Sequence, residues 1–215
     1  MKAIEFFLAG GIVAWPLLAF SIAAIALIGE RAFFWFRIHR RQSRVVREVL
    51  KLYPQKASTA IGLLKQNADL PIARIFLEAV ELDRPTPEEF RLALESAAQA
   101  EIPTFKRFST VFETIIAISP LLGLLGTVLG LMTAFSSLTL GEAAGAKSAN
   151  VTGGISEALI STVMGLVVAI TTLMFANTFR SFYIRQLAMI QEYGGQLELL
   201  YRRQYELGEK YATTR

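Results

Sequence analysis

Three stretches of this chain contain no Asp, Glu, Lys or Arg: Phe6–Gly29 (24 residues), Thr114–Gly141 (28 residues) and Ala158–Phe179 (22 residues). A hydrocarbon core about 30 Å thick needs roughly 20 apolar residues in a helix, so each stretch is long enough to span it. The rest of the composition agrees, with 53% apolar and 19% charged residues and a mean hydropathy of +0.43. No strand signal competes. The sequence predicts an all-α membrane protein with three transmembrane helices, placed at 1–36, 115–138 and 154–179.

The charges that remain set the orientation. Of the basic residues only Lys2 precedes the first stretch, whereas Arg31, Arg37, Arg40, Arg41, Arg44 and Arg47 follow it. A cleavable signal peptide has the reverse arrangement. Residues 37–114 hold 13 Lys/Arg, 180–215 hold six, and 142–153 hold only Lys147. Positive-inside bias then places the N-terminus outside, a helical insert at 37–114 in the cytoplasm, a loop at 139–153 outside, and a C-terminal helix at 180–215 in the cytoplasm. Topology accounts for the net charge of +4, and no nucleic acid partner is expected. With no cysteine and the single His39, read as a surface residue, thiol chemistry and a His-rich metal site are excluded. No nucleophile–base constellation appears, so neither an enzyme nor a cofactor is expected.

The insert reads as helices with breaks. Gln42–Leu52 is basic and amphipathic and ends at Pro54, and Ala57–Gln66 and Ile72–Leu82 show helical spacing. Thr86, Pro87 and Glu89 form a capping-box start. No stop follows before Leu138, only kinks at Pro103 and Pro120. The third span continues past Arg180 on a stripe of Ile184, Leu187, Ile190, Leu197 and Leu200, weakened at Gly194-Gly195. From Gly154 to Tyr211 it would reach about 87 Å. Cytoplasmic extensions this long and apolar must pack on something, which points to an oligomeric helix bundle.

Small residues mark the second span. Ser119, Gly123, Gly126, Gly130, Thr133 and Ser137 share one helix face, where backbones can approach closely. Gly126–Leu131 (GTVLGL) is echoed by Ser161–Leu166 (STVMGL), which adds Gly165 to the packing residues. Thr127 lies about 18 Å and Thr162 about 25 Å from the cytoplasmic ends of their spans. Each hydroxyl either bonds back to its own helix or lines a polar path for protons or water. Glu157 either sits at the outer interface, stabilised by the helix dipole, or faces an interior cavity, where an acid is a functional candidate. Glu30 and Arg31 read as a snorkelling border pair. None of the spans has an ionisable residue near its midpoint, so a proton-moving complex would need a carboxylate from another chain.

Pro120-x-x-Gly123-Leu124-x-Gly126-Thr127-Val128-x-Gly130-Leu131 resembles the second-span motif of the MotA/TolQ/ExbB proton-channel family. Gly154-Ile155-x-Glu157-Ala158-Leu159-x-x-Thr162-x-x-Gly165-Leu166-x-x-Ala169-Ile170 resembles its third-span motif, although the family's following Pro-Ala is here Thr171-Thr172. The resemblance implies a multi-pass subunit of the bacterial inner membrane. It implies a pentamer around single-span ExbD/TolR-like partners that carry the proton-binding aspartate, in contact with membrane lipid. Proton motive force would energise outer-membrane transport through a TonB-like protein. The alternatives are a TolQ-like subunit acting through a TolA-like protein in envelope maintenance, or a passive helical scaffold. By motif position Thr127 and Thr162 match the family's pore threonines, and Glu157 its third-span glutamate.

Overall fold

The computed structural model describes residues 7, 9–136 and 144–213. Its helices are α1 (Ala14–Leu52), α2 (Ala57–Gln66), α3 (Pro71–Val80), α4 (Pro87–Phe105), α5 (Ser109–Ser136) and α6 (Ala144–Thr213). No strand occurs among the described residues. Three helical stretches are long and apolar enough to cross a membrane: Ala14–Leu52, Pro87–Ser136 and Val151–Leu207. Ser137, Leu138 and the first part of the expected external loop, 139–143, lie outside the described residues; the remainder of that loop is already helical, within α6.

The helix expected to run unbroken from Thr86 to Leu138 is interrupted at 106–108, between α4 and α5. Pro103 has no amide hydrogen to give the preceding turn, which weakens the end of α4. Phe108 then takes a φ of 68°, in the left-handed region, and stops the helix. The Phe112 amide picks up the Phe108 carbonyl as α5 begins. Pro120, inside α5, does not end it. No helix end falls at residue 36 or 179, since α1 and α6 run through both. Gly194-Gly195 likewise leaves α6 continuous.

By contact the chain divides into two compact units: Met1–Arg31 with Phe108–Phe179, and Ala32–Arg107 with Arg180–Arg215. The second unit has an ordinary apolar core in which Val46, Val49, Leu64, Ile72, Phe76, Phe90 and Leu197 are fully buried. Each such side chain stabilises by about 1.5–3 kcal/mol relative to an exposed one. Arg74 bonds both carboxylate oxygens of Glu101, at 2.6 and 2.7 Å, and so ties α3 to α4. That bond and the carboxylate's charge hold the Arg74 guanidinium above its ordinary value, against the opposing effect of burial. Phe90 stacks on Tyr201 at 4.2 Å. The Tyr201 hydroxyl donates to the Pro85 carbonyl, and Gln42 and Gln186 share a buried bond of 2.7 Å.

The capping box at α4 is complete. The Glu89 amide donates to Thr86 Oγ1, and the Thr86 amide donates to Glu89 Oε2 at 2.7 Å. The backbone bond from Thr86, then its hydroxyl, lower the Glu89 pKa from 4.5. A depressed folded-state pKa gives stability that is present above the unfolded value and lost as pH falls through the folded one. Thr86→Ala keeps the backbone bond and removes only the hydroxyl, so it is expected to lower the thermal midpoint at both pH 7 and acid pH, and by more at pH 7, where the hydroxyl also bonds the ionised Glu89 carboxylate. Melting curves by circular dichroism at pH 7 and in acid check this; equal losses would mean the hydroxyl's bond to the carboxylate contributes nothing.

Candidate functional site

The site lies in the first unit, where α5 and α6 meet along facing rows of small residues. Ser119, Gly123, Gly126, Gly130 and Ala134 are buried on α5, and Gly154, Ala158, Ser161, Gly165, Ala169 and Thr172 are buried on α6. A Cβ placed on Gly130 would lie 2.7 Å from the Gly154 carbonyl oxygen and 2.8 Å from the Ala158 nitrogen. One on Gly165 would come 2.4 Å from the Ser119 carbonyl oxygen, and one on Gly123 3.0 Å from Thr162 Cα. At Gly126 the obstacle is a side chain, Ser161 Oγ, at 2.2 Å. Lipid supplies no hydrophobic drive between helices, so the attraction here comes from dispersion at close backbone approach. The seam joins two helices of one chain. Thr133, expected on this face, points outward and bonds back to the Leu129 carbonyl, and Ala134 occupies the face instead.

Both threonines belong to one turn of this seam. Thr162 Oγ1 crosses from α6 and donates to the Gly123 carbonyl at 3.1 Å. Thr127, whose amide follows Gly123 by the four residues of a helical bond, donates its hydroxyl to the Leu124 carbonyl at 2.6 Å. Thr127 thus makes a back-bond, whereas Thr162 bonds across to the other helix. A hydroxyl has one hydrogen and two acceptor lone pairs. With both hydrogens committed to carbonyls, each oxygen is left to accept from a water or a protonated acid. Both residues are half-buried, so neither is sealed inside the seam.

Glu157 is not brought to this turn. It precedes Thr162 by five residues, about 7.5 Å along α6 and 140° around it. Its carboxylate rests on Gly11, where a Cβ would come 1.7 Å from Oε1. Gly11 takes a φ of +65°, closing a turn whose carbonyl accepts from the Ala14 amide. Gly10, in the same turn, packs on Met164, and a Cβ there would come 2.9 Å from the sulfur. The glycine pair as a seat for Glu157 has almost no signature in the sequence, where its only signal is Gly10-Gly11 within a charge-free stretch. Arg31 does not snorkel. Its side chain is 3% exposed, bonds Glu30 at 2.7 Å and lies over the Phe108 ring, 5.8 Å from its centroid. Among the described residues no group of three His, Cys, Asp or Glu is placed to hold a metal.

A model of the MotA/TolQ/ExbB proton channel family matches residues 67–192, a range that takes in Thr127, Thr162, Glu157 and the seam glycines Gly123, Gly126, Gly130 and Gly165. The biopolymer transport protein ExbB-like 3 of Synechocystis sp. is 65% identical over 210 residues, covering 97% of this chain and 100% of that protein. ExbB-like 1 of the same organism is 39% identical over 202 residues, 94% of this chain and 80% of its own length. The Tol-Pal system protein TolQ of Haemophilus influenzae is 37% identical over 109 residues, 49% of this chain and 44% of its own.

Proposed function

Because the chain belongs to the MotA/TolQ/ExbB proton channel family, we propose that it is the ExbB-like subunit of a proton-driven motor in a bacterial inner membrane. Its N-terminus lies outside, and the Arg-rich second half of α1 and the part of α6 from Arg180 onward lie in the cytoplasm. Five copies surround single-span helices of the ExbD/TolR kind, and proton motive force is passed on to a TonB-like protein that energises outer-membrane transport. Similarity along nearly the whole chain to ExbB-like proteins, against half of it to a TolQ, favours this reading over a Tol-type role.

One observation carries the proposal: two half-buried hydroxyls, Thr127 from α5 and Thr162 from α6, donate to successive carbonyls of a single α5 turn, Leu124 and Gly123 respectively, in spans with no titratable group near their middle. A proton crossing hydrocarbon needs hydrogen-bonding groups or water, because a bare charge there is heavily penalised. Oxygens left as acceptors suit a donor, and a protonated carboxyl on a partner helix is such a donor. The chain supplies the lining and the partner supplies the proton carrier. Glu157, toward the outer end of α6, draws protons to the entrance.

The test is complementation. Expressed with its single-span partner in cells lacking their own ExbB and TolQ, the chain should restore growth on a scarce TonB-dependent nutrient, and a protonophore should abolish the effect at doses that leave the protein assembled. Glu157→Gln should slow that growth while leaving the melting curve nearly unchanged. Restoration that persists under the protonophore would leave a passive scaffold as the better description.

A further inference from the structure

The second unit carries two complementary surfaces on opposite sides of α6. One is an open cleft of about 470 Å³ between the C-terminal part of α1 and the distal part of α6, with Arg47, Leu50, Lys51, Leu199, Leu200 and Arg203 among its walls and no acid lining it. The other is the outward stripe of α4, where Glu88, Leu92, Glu95 and Gln99 follow one another at helical spacing. Leu92 is 64% exposed between the two carboxylates, and Leu199 is 60% exposed in the cleft.

We propose that the acidic stripe of α4 in one copy of this chain docks into the basic cleft of the next copy, so that the second units close a ring of their own. The proposal rests on the homo-oligomer described above and names the surfaces that join it. Charge supports it: three cations line the cleft with no acid among them, and two carboxylates flank the apolar ridge. Glu95 is paired with Arg91 at 3.1 Å and Glu88 with Arg202 at 3.5 Å, solvent-exposed pairs that can exchange partners. Height supports it too. Copies in one bilayer are related by rotation about the membrane normal, so joined surfaces must lie at equal depth. Phe90 stacks on Tyr201, and Arg202 reaches Glu88 at 3.5 Å, so the start of α4 lies level with α6 residues 201–202. The cleft is built at that level, from Gln196 to Arg203. Direction agrees as well. At 100° per residue, Tyr201 and Arg202, which meet α4, lie about 160° around α6 from the face formed by Leu199, Leu200 and Arg203. Head-to-tail contacts require two different patches facing apart.

The chain has no cysteine, so a crosslink reports only the pair that is introduced. Leu92→Cys/Leu199→Cys in the full-length chain, expressed with its partner and oxidised in membranes, should give a ladder of covalent oligomers on a denaturing gel. The two single variants should give none, and co-expressed singles should give a dimer and nothing larger. Native mass spectrometry of the same samples separates the two levels of the proposal. An oligomer by mass with no ladder would overturn the docking and leave the oligomer standing. A monomer by mass would sink both.

Discussion

Gly130→Leu is expected to prevent α5 and α6 from packing, with loss of folded protein as the result. The atoms that a Cβ would strike are the Gly154 carbonyl oxygen and the Ala158 nitrogen, both backbone. A flexible side chain could swing aside, but two helical backbones can only move apart. Overpacking usually costs about 1–3 kcal/mol. Here it also separates the row of close contacts above and below, so the effect should exceed that range. Gly165→Leu meets the same kind of obstacle at the Ser119 carbonyl. Gly126→Ala should be milder, since Ser161 Oγ can rotate away. At Gly194 and Gly195 a Cβ meets nothing within 4 Å, and alanine there should stabilise the helix by about 0.5–1 kcal/mol. Size-exclusion yield and thermal melts in mild detergent rank the set. A Gly130→Leu protein that melts like the parent would mean the seam is not closed.

The second large effect is functional. Thr127→Val/Thr162→Val is expected to assemble with its partner and to lose proton-driven work. Valine nearly keeps the shape of threonine and removes the hydroxyl. Folding should change little, because one hydrogen bond is worth about 0.5–1.5 kcal/mol net, and the Gly123 carbonyl still has the Thr127 amide as a donor within the helix. What disappears is the pair of acceptor oxygens on that turn. Serine at both positions restores the oxygens and should restore growth on the scarce nutrient. Full growth of the valine protein, with partner binding intact, would return both residues to helix packing. Dead serine and valine proteins alike would show that shape, and not the oxygen, is what the site requires.

Much of this architecture is legible in the residues because membranes and helix caps leave few options. Charge-free windows mark helices able to span a bilayer, and Thr86-Pro87 with Glu89 starts α4 where the capping chemistry says it should. Helical spacing identifies the small face of α5 as far as Gly130. Beyond it, a choice between Thr133 and Ala134 depends on where α6 lies, which no local pattern contains. The break at 106–108 is invisible for a related reason. A left-handed residue is usually announced by glycine or asparagine, and here it is Phe108, held by its surroundings. Arg31 illustrates the same limit: a border arginine ordinarily reaches for water, and the Phe108 ring and Glu30 that receive it here are not announced by any local pattern. The seat of Glu157 joins residues some 146 positions apart, beyond the reach of any periodicity.

The buried amide pair of Gln42 and Gln186 has a consequence for alignment. Within the second unit α1 and α6 run side by side in the same direction, Trp35 beside Phe182 and Gln42 beside Gln186. Two long helices with apolar contact surfaces can slip past each other by a turn, about 5.4 Å, and still bury similar area. A slip here would strand both amides in apolar surroundings, each without its partner. The pair therefore acts as a locating pin. It adds little to the strength of the contact and selects one register from several of nearly equal energy, as a polar residue does at an apolar helix interface.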